Sequence, residues 1–236
     1  MNKKITECRR CGNCCKKGGP SLHKEDLGLV NGGVLPLSSL ITIRKGEIVH
    51  NPQSNRAQAA SVELVKIVGT GRDWDCCYYD EYAGCTIYTD RPLACRVLKC
   101  WDTDDILALV EKETLGRFDI LKMDDPLVEV INEYERLCPS FDFQSVFLGR
   151  HEISKEQKKI LEKTVREDLR FRSRVIVDFQ LKLSHELFYF GRPLFQLLEP
   201  FGVRTVETTM GINLVWSKKS PASPRKWGSR THQGNI

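Results

Sequence analysis

The sequence has no stretch approaching the 18 or more consecutive apolar residues that a membrane-crossing helix needs, which excludes a spanning segment of that kind. Met1–Glu7 is basic at first but lacks the apolar core of a signal peptide before Cys8 arrives, so the expected compartment is the cytoplasm. No Ser/His/Asp arrangement, phosphate-cradling glycine loop or carboxylate pair stands out, and no catalytic role is assigned to any residue. His23, His50, His151 and His185 are scattered without metal-like pairing. No internal repeat is present, since the two cysteine-bearing stretches differ in spacing.

Charge of one sign is missing from one place only. Ser217–Ile236 holds Lys218, Lys219, Arg225, Lys226 and Arg230 and no acid, leaving 31 bases against 31 acids in the other 216 residues. The net charge of +5 therefore belongs to the tail. The neutral remainder argues against a nucleic-acid-binding body, and only the basic tail offers a contact for an anionic partner. Pro221, Pro224 and Gly228 in that tail predict disorder over 217–236.

What the sequence does have is ten cysteines in 236 residues. In a reducing compartment that number points to metal or redox chemistry rather than a disulfide framework. Four of them open the chain as Cys8-Arg9-Arg10-Cys11-Gly12-Asn13-Cys14-Cys15, which reads C-x2-C-x2-C-C. A free cysteine is usually a small buried hydrophobe, but these sit among Arg9, Arg10, Asn13, Lys16 and Lys17. The two-residue spacing brings sulfurs to one point in a tight turn, Gly12 supplies the freedom for it, and nearby cations favour the thiolate that binds metal.

The second stretch runs from Cys76-Cys77 through the turn Asp80–Gly84 to Cys85-Thr86-Ile87-Tyr88-Thr89-Asp90-Arg91-Pro92-Leu93-Ala94-Cys95-Arg96, with Cys100 beyond it. The candidate ligands are Cys8, Cys11, Cys14, Cys15, Cys77, Cys85, Cys95 and Cys100, enough for two four-cysteine sites. One cluster with several bystander cysteines is equally allowed by count, and Cys76 or Cys138 could substitute. Adjacent thiols in an extended chain point opposite ways, so Cys14 and Cys15 are expected to serve different metals or opposite sides of one cluster. Tetrahedral zinc suits paired cysteine knuckles. Cys8, Cys11 and Cys14 copy the first part of a ferredoxin run, and Cys138-Pro139 echoes its end, which leans the reading to iron–sulfur over zinc. Arg91 and Arg96 are candidates to donate to cluster sulfurs, Tyr88 and Trp74 to pack around them, and Cys138 is expected to be structural.

These two motifs in this order resemble the YkgJ-like cysteine-cluster family, also described as the CxxCxxCC zinc- or iron-chelating domain. The resemblance rests on the opening run and on C-x-I-Y-x-x-R-P-x-x-C-R from Cys85 to Arg96, and covers roughly residues 5 to 101. It implies a cysteine-built metal site. A more distant likeness is to bacterial flagellin lysine N-methylases, which implies an iron–sulfur centre used with S-adenosylmethionine. The sequence departs from that likeness. Val68-Gly69-Thr70-Gly71-Arg72 does not continue as a nucleotide fingerprint, and there is no C-x3-C-x2-C run.

The expected fold is α+β, with a cysteine-rich metal-binding unit of small β hairpins over 1–101 and a mainly helical region over 102–216 packing on it. Ser21 is read as capping a helix from Leu22 to about Val30. Leu40–Ile43 and Ile48–His50 are read as a hairpin, residues 51–60 as a loop, and Val62–Val68 as a strand paired with Trp74–Tyr79. Helices are predicted from Pro92, over 102–115, from Pro126 to Leu137, and over about 154–183 on a stripe of Ile160, Leu161, Val165, Leu169, Arg172, Ile176, Phe179 and Leu183. Two short apolar helices and two strands, Val203–Val206 and Gly211–Trp216, complete the body. The expected function is cysteine-held zinc or an iron–sulfur cluster in a redox or cluster-dependent role toward an unknown protein partner or substrate. The alternatives are a zinc-stabilised interaction module and a cluster-dependent protein lysine N-methylase.

Overall fold

A computed structural model of the chain describes residues 6–140, 153–208 and 211–216, and its helices and small antiparallel strand pairs make an α+β protein. The predicted tail and His151 lie outside the described residues. After an irregular opening segment and a single 3₁₀ turn at Cys15–Lys17, Leu22 is buried and bonded on both sides. Its N–H donates to the Val65 carbonyl at 2.8 Å, and its own carbonyl accepts from Leu115 N at 3.0 Å. A residue so committed to strand-like pairing cannot start a helix. Helix α1 therefore runs Leu27–Asn31, five residues later than the predicted start, and Ser21 forms a bridge to Lys66 instead of a cap.

Strand β1 (Leu40–Ile43) is buried along its whole length and pairs antiparallel with the equally apolar β4 (Leu64–Ile67), Leu40 opposite Ile67. The predicted hairpin between Leu40–Ile43 and Ile48–His50 does not form. A strand covered on both faces takes a partner that can share its burial, and Ile48 to His50 are partly exposed. Strand β2 (Ile48–Asn51) pairs with β3 (Arg56–Ala59) inside the segment expected to be loop. The loop shrinks to 52–55, closed by Asn51 Oδ1 accepting from Gln53 N and Ser54 N at 2.8 and 3.1 Å.

Three short pieces follow. Strand β5 (Gly69–Thr70) pairs with β6 (Asp75–Cys76), so the expected pairing of Val62–Val68 with Trp74–Tyr79 is replaced by the β1–β4 pair and this smaller one. Strand β7 (Tyr79–Asp80) pairs with β8 (Gly84–Cys85) across the predicted turn. Helix α2 (Leu93–Val97) starts after Pro92 as expected. The helix predicted over 102–115 is cut to α3 (Asp104–Ala108), with Glu111 and Glu113 at φ 56 and 46. Leu115 is drawn out of helical geometry into the core, where its carbonyl accepts from Val65 N at 2.7 Å. A short helix α4 (Arg117–Ile120) follows.

The body consists of α5 (Leu127–Leu137), α6 (Lys155–Asp178), α7 (Glu186–Phe190), α8 (Leu194–Leu198) and the hairpin β9 (Val203–Thr208) with β10 (Gly211–Trp216). Ser154 caps α6 by accepting from Gln157 N at 3.1 Å. One apolar cluster joins both halves of the chain, from Leu22, Leu40 and Val65 to Tyr134, Phe171, Phe188 and Phe190. The buried side of α6 is Leu161, Val165, Asp168, Phe171, Arg172 and Val175, and the predicted stripe members Ile160, Phe179 and Leu183 are exposed.

That shift has a cause, because the buried side of α6 is partly ionic. Arg172 Nε donates to Asp168 Oδ1 at 2.7 Å, Tyr134 Oη donates to the same oxygen at 2.6 Å, and Leu194 N donates to Oδ2 at 2.8 Å. Arg172 also reaches Glu186 and the Gly191 and Phe190 carbonyls. Arg117 is clasped by Glu63 and Glu135, Arg44 by Glu135 and the Cys138 carbonyl, and Arg192 by Glu47. Buried charges so fully partnered add little net stability, but losing one partner strands the other. The cations at 166–174 also have protein partners. Arg166 donates to Asn213, Arg170 pairs with Glu167, Arg174 with Glu133, and Arg172 is buried.

Candidate metal centre

The opening loop reaches the rest of the molecule by a few close approaches. Gly12 is buried at φ 76, and a methyl group there would overlap the Tyr79 ring, so a left-handed, side-chain-free residue is required. Gly19 lies against the Ile67 backbone, and Ile67 N donates to the Pro20 carbonyl at 3.0 Å, which fixes the loop's far end to β4. Cys8 and Cys11 before Gly12 and Cys14 after it are exposed, and Cys15 is half-buried. The Cys14 and Cys15 Sγ atoms are 3.8 Å apart.

The second stretch folds over this loop. Strand β6 brings Cys76 against the turn at Cys15–Lys17. Asp80 Oδ1 accepts from Tyr82 N and Ala83 N at 2.8 and 2.7 Å, closing the turn that sets Cys85 opposite Tyr79. Those two donors hold the Asp80 carboxyl below the usual range. Helix α2, which carries Cys95, is moored by Leu93 N donating to Oδ1 of the buried Asp26 at 2.7 Å. Asp26 Oδ2 accepts from His23 N at 2.9 Å, so one carboxylate ties the segment that follows the opening run to the second stretch. The sequence shows Asp26 only as an acid in an early helical turn, and its tie to α2 is a tertiary contact.

The thiols act on one another electrostatically. The Cys15 thiol is pushed up first by its hydrogen bond with Cys14, then by burial and by the charges of Cys14, Cys76 and Cys85. Cys14 is held low, first by the same hydrogen bond, with Arg91 contributing, so this pair shares one thiolate centred on Cys14. Burial raises Cys95 to about 12, helped by Cys76, Cys14 and Cys85. Cys100, exposed, is raised by partial burial and by Cys14, Cys11 and Cys8. Cys14 thus acts on Cys15, Cys76, Cys95 and Cys100, and Cys76 and Cys85 act on Cys15 and Cys95, so thiols of both stretches lie within electrostatic range of one another. Burial raises Cys77 to about 11, and the only thiol acting on it is Cys76. Cys138 is buried at the end of α5 and answers to Asp168, Arg44 and Arg172.

Among the described residues, no three His, Cys, Asp or Glu side chains stand close enough together to hold a metal ion as placed. The donor set nonetheless fits a thiophilic metal in kind, being thiols from two stretches with cations beside them. Arg96 is engaged with Glu25 at 2.6 Å. Arg91 Nε donates to the Tyr88 carbonyl at 2.8 Å, and its guanidinium lies over the Tyr88 ring. Trp74, at φ 62, packs on Gly69 and Gly18.

Fold and side-chain placement together describe an α+β protein in which two cysteine-bearing stretches lie against each other. Residues 7–119, just under half the chain, match the family described as CxxCxxCC, "Putative zinc- or iron-chelating domain", which is what this part of the chain is similar to. No curated protein and no solved structure matches the chain. The likeness to flagellin lysine N-methylases is therefore not shown by any comparison. No helix among the described residues is long and apolar enough to cross a membrane.

Proposed function

We propose that the chain binds metal through cysteines of both stretches in two neighbouring four-thiol sets. The outer set is Cys8, Cys11, Cys14 and Cys100; the inner set is Cys15, Cys76, Cys85 and Cys95. The observation that carries this reading is the mutual influence of thiols some 70 residues apart in sequence, with Cys14 and Cys15 at the divide. Cys76 takes the place first given to Cys77, because Cys76 acts on Cys15 and Cys95 while Cys77 is linked to Cys76 alone. The thiols close to coordination distance by turning their side chains and by shifts of the exposed loop.

The outer set repeats the ferredoxin pattern of three closely spaced cysteines with a remote fourth, which favours an iron–sulfur cluster there. All four of its thiols are exposed, a setting that suits electron exchange with a partner protein or a cluster-dependent role toward one. When bound, a cluster would supply reversible one-electron chemistry. This chain's residues hold it, set its distance from solvent and place Arg10 and Arg91 beside it. Zinc is the alternative occupant. It is favoured by the inner set, which is half-buried or buried and framed by two-residue strands that a metal would brace, as in an interaction module.

Anaerobic purification followed by metal and sulfide analysis and a visible spectrum tests this reading. A brown protein with iron and labile sulfide near four per molecule supports the cluster. A colourless protein with stoichiometric zinc replaces it by the zinc module, and a protein that takes up neither metal refutes cysteine-held metal altogether.

A further inference from the structure

The two cysteine stretches face each other with little backbone between them. Among the described residues, no hydrogen bond joins residues 8–14 to residues 75–100. What spans the gap is side chains. The Tyr79 ring lies over Gly12, Lys16 pairs with Glu81 at 3.7 Å, and the Arg10 guanidinium carbon lies 3.8 Å from the centroid of the Tyr88 ring. The Arg91 guanidinium carbon lies 3.6 Å from the same centroid.

Those two distances fix the geometry. A guanidinium so close to a ring centroid must sit over a face, because one at the ring edge would be pushed farther out by the ring atoms. Two cations at the same height over one face would occupy the same space. Arg10 and Arg91 therefore lie on opposite faces, and Tyr88 is held between a residue from each stretch. Arg10 is at φ 54, a left-handed conformation uncommon for arginine, and its carbonyl passes 3.8 Å from where a Cβ on Gly84 would lie. Arg91 is fixed in turn by its bond to the Tyr88 carbonyl and by Pro92 at the start of α2, three residues before Cys95.

We propose that Tyr88 is a positioning residue for the metal site: its ring, gripped by Arg10 and Arg91, sets the Cys8–Cys15 loop in the register at which its thiols meet those of Cys76, Cys85 and Cys95. This rests on the metal-binding reading above. The stack is suited to the task because it grips through ring faces and leaves both backbones free to adjust as thiols close on a metal. It also puts two positive charges beside a site that gains negative charge as thiols ionise. Residues that orient ligands without touching the metal typically change affinity by about 10- to 100-fold.

The test is zinc affinity of the full chain, measured by competition with a chromophoric chelator under reducing conditions. The variants are Tyr88→Leu, Tyr88→Phe, Arg10→Met and the double variant Arg10→Met with Tyr88→Leu, each checked by circular dichroism for retained fold. Arg10 is exposed in the opening loop, so its replacement keeps the test meaningful even where Tyr88→Leu misfolds. The expected result is a loss of about tenfold or more for Tyr88→Leu and for Arg10→Met. Tyr88→Phe should keep near wild-type affinity because a phenyl face still binds cations. The double variant should be no weaker than the weaker single one. Wild-type binding with an unaffected Tyr88→Leu or Arg10→Met would overturn this proposal alone. Failure of Tyr88→Phe to rescue, or additive losses in the double variant, would overturn it in favour of general packing. A wild-type chain that takes up neither zinc nor iron would overturn it together with the metal reading, and where the chain holds iron alone the iron content of the same variants is compared in place of zinc affinity, with the same outcomes.

Discussion

The Sγ atoms of Cys14 and Cys15 lie 3.8 Å apart, and the hydrogen bond between them holds the Cys14 thiol low and pushes the Cys15 thiol up. In the proposed two-set arrangement this pair stands at the border, and its two residues are non-equivalent. Replacing Cys14 by serine should empty the outer set and replacing Cys15 the inner one, each lowering bound metal by about half, and the double replacement should abolish binding. Metal analysis of the three purified variants checks this. Full loading of either single variant would show that its thiol is a bystander.

Cys76 and Cys77 are adjacent but differently connected, since Cys76 acts on Cys15 and Cys95 and Cys77 is linked to Cys76 alone. Cys76→Ser should therefore lose inner-set metal while Cys77→Ser keeps it. The same assay on Cys138→Ser should show wild-type loading and a lower melting temperature, because that thiol is fully buried away from the others.

The ionic core makes a prediction independent of metal. Removing the Arg172 charge by Arg172→Met leaves Asp168 buried with one partner fewer, at a cost of about 3–5 kcal/mol. Tyr134→Phe removes a single donor from the same carboxylate and should cost about 1–3 kcal/mol. Urea unfolding of both variants gives the comparison, and equal stability of Arg172→Met and wild type would contradict a structural role for the Arg172–Asp168 pair.

Stripping metal with a chelator should loosen the two cysteine stretches and leave the body intact, because among the described residues Cys76 alone of those stretches is a buried member of the apolar cluster from Leu22 to Phe190. Hydrogen exchange read by peptide should then rise within residues 8–18 and 75–100 and stay slow in α5 and α7. Protection lost throughout would mean that the metal holds up the whole fold.

The α+β class and most body elements were legible because they rest on local signals. Pro92 and Pro126 preset first turns, Ser154 has Gln157 three residues on, and Asp80 precedes Gly84 in a turn. The misread elements are those where tertiary demand outweighed local pattern. Leu22 and Leu115 read as helical, but each is claimed by pairing with Val65 and with each other. The inward side of α6 was only partly legible: Leu161, Val165 and Arg172 of the predicted stripe are buried, whereas Asp168 counts as a surface residue in any hydropathy pattern and is buried as well. In the site, the spacing of Cys8, Cys11 and Cys14 was visible. The preference for Cys76 over its neighbour and the stack of Arg10, Tyr88 and Arg91 were not, since both depend on how one stretch lies over the other.

The central claim is that cysteines from both stretches hold the metal. X-ray absorption at the edge of the metal in the anaerobically purified chain tests it most directly. The account predicts about four sulfur neighbours per metal at roughly 2.3 Å, with the sulfur signal reduced in the Cys85→Ser/Cys95→Ser variant. A spectrum dominated by nitrogen or oxygen neighbours, or one unchanged in that variant, would contradict it.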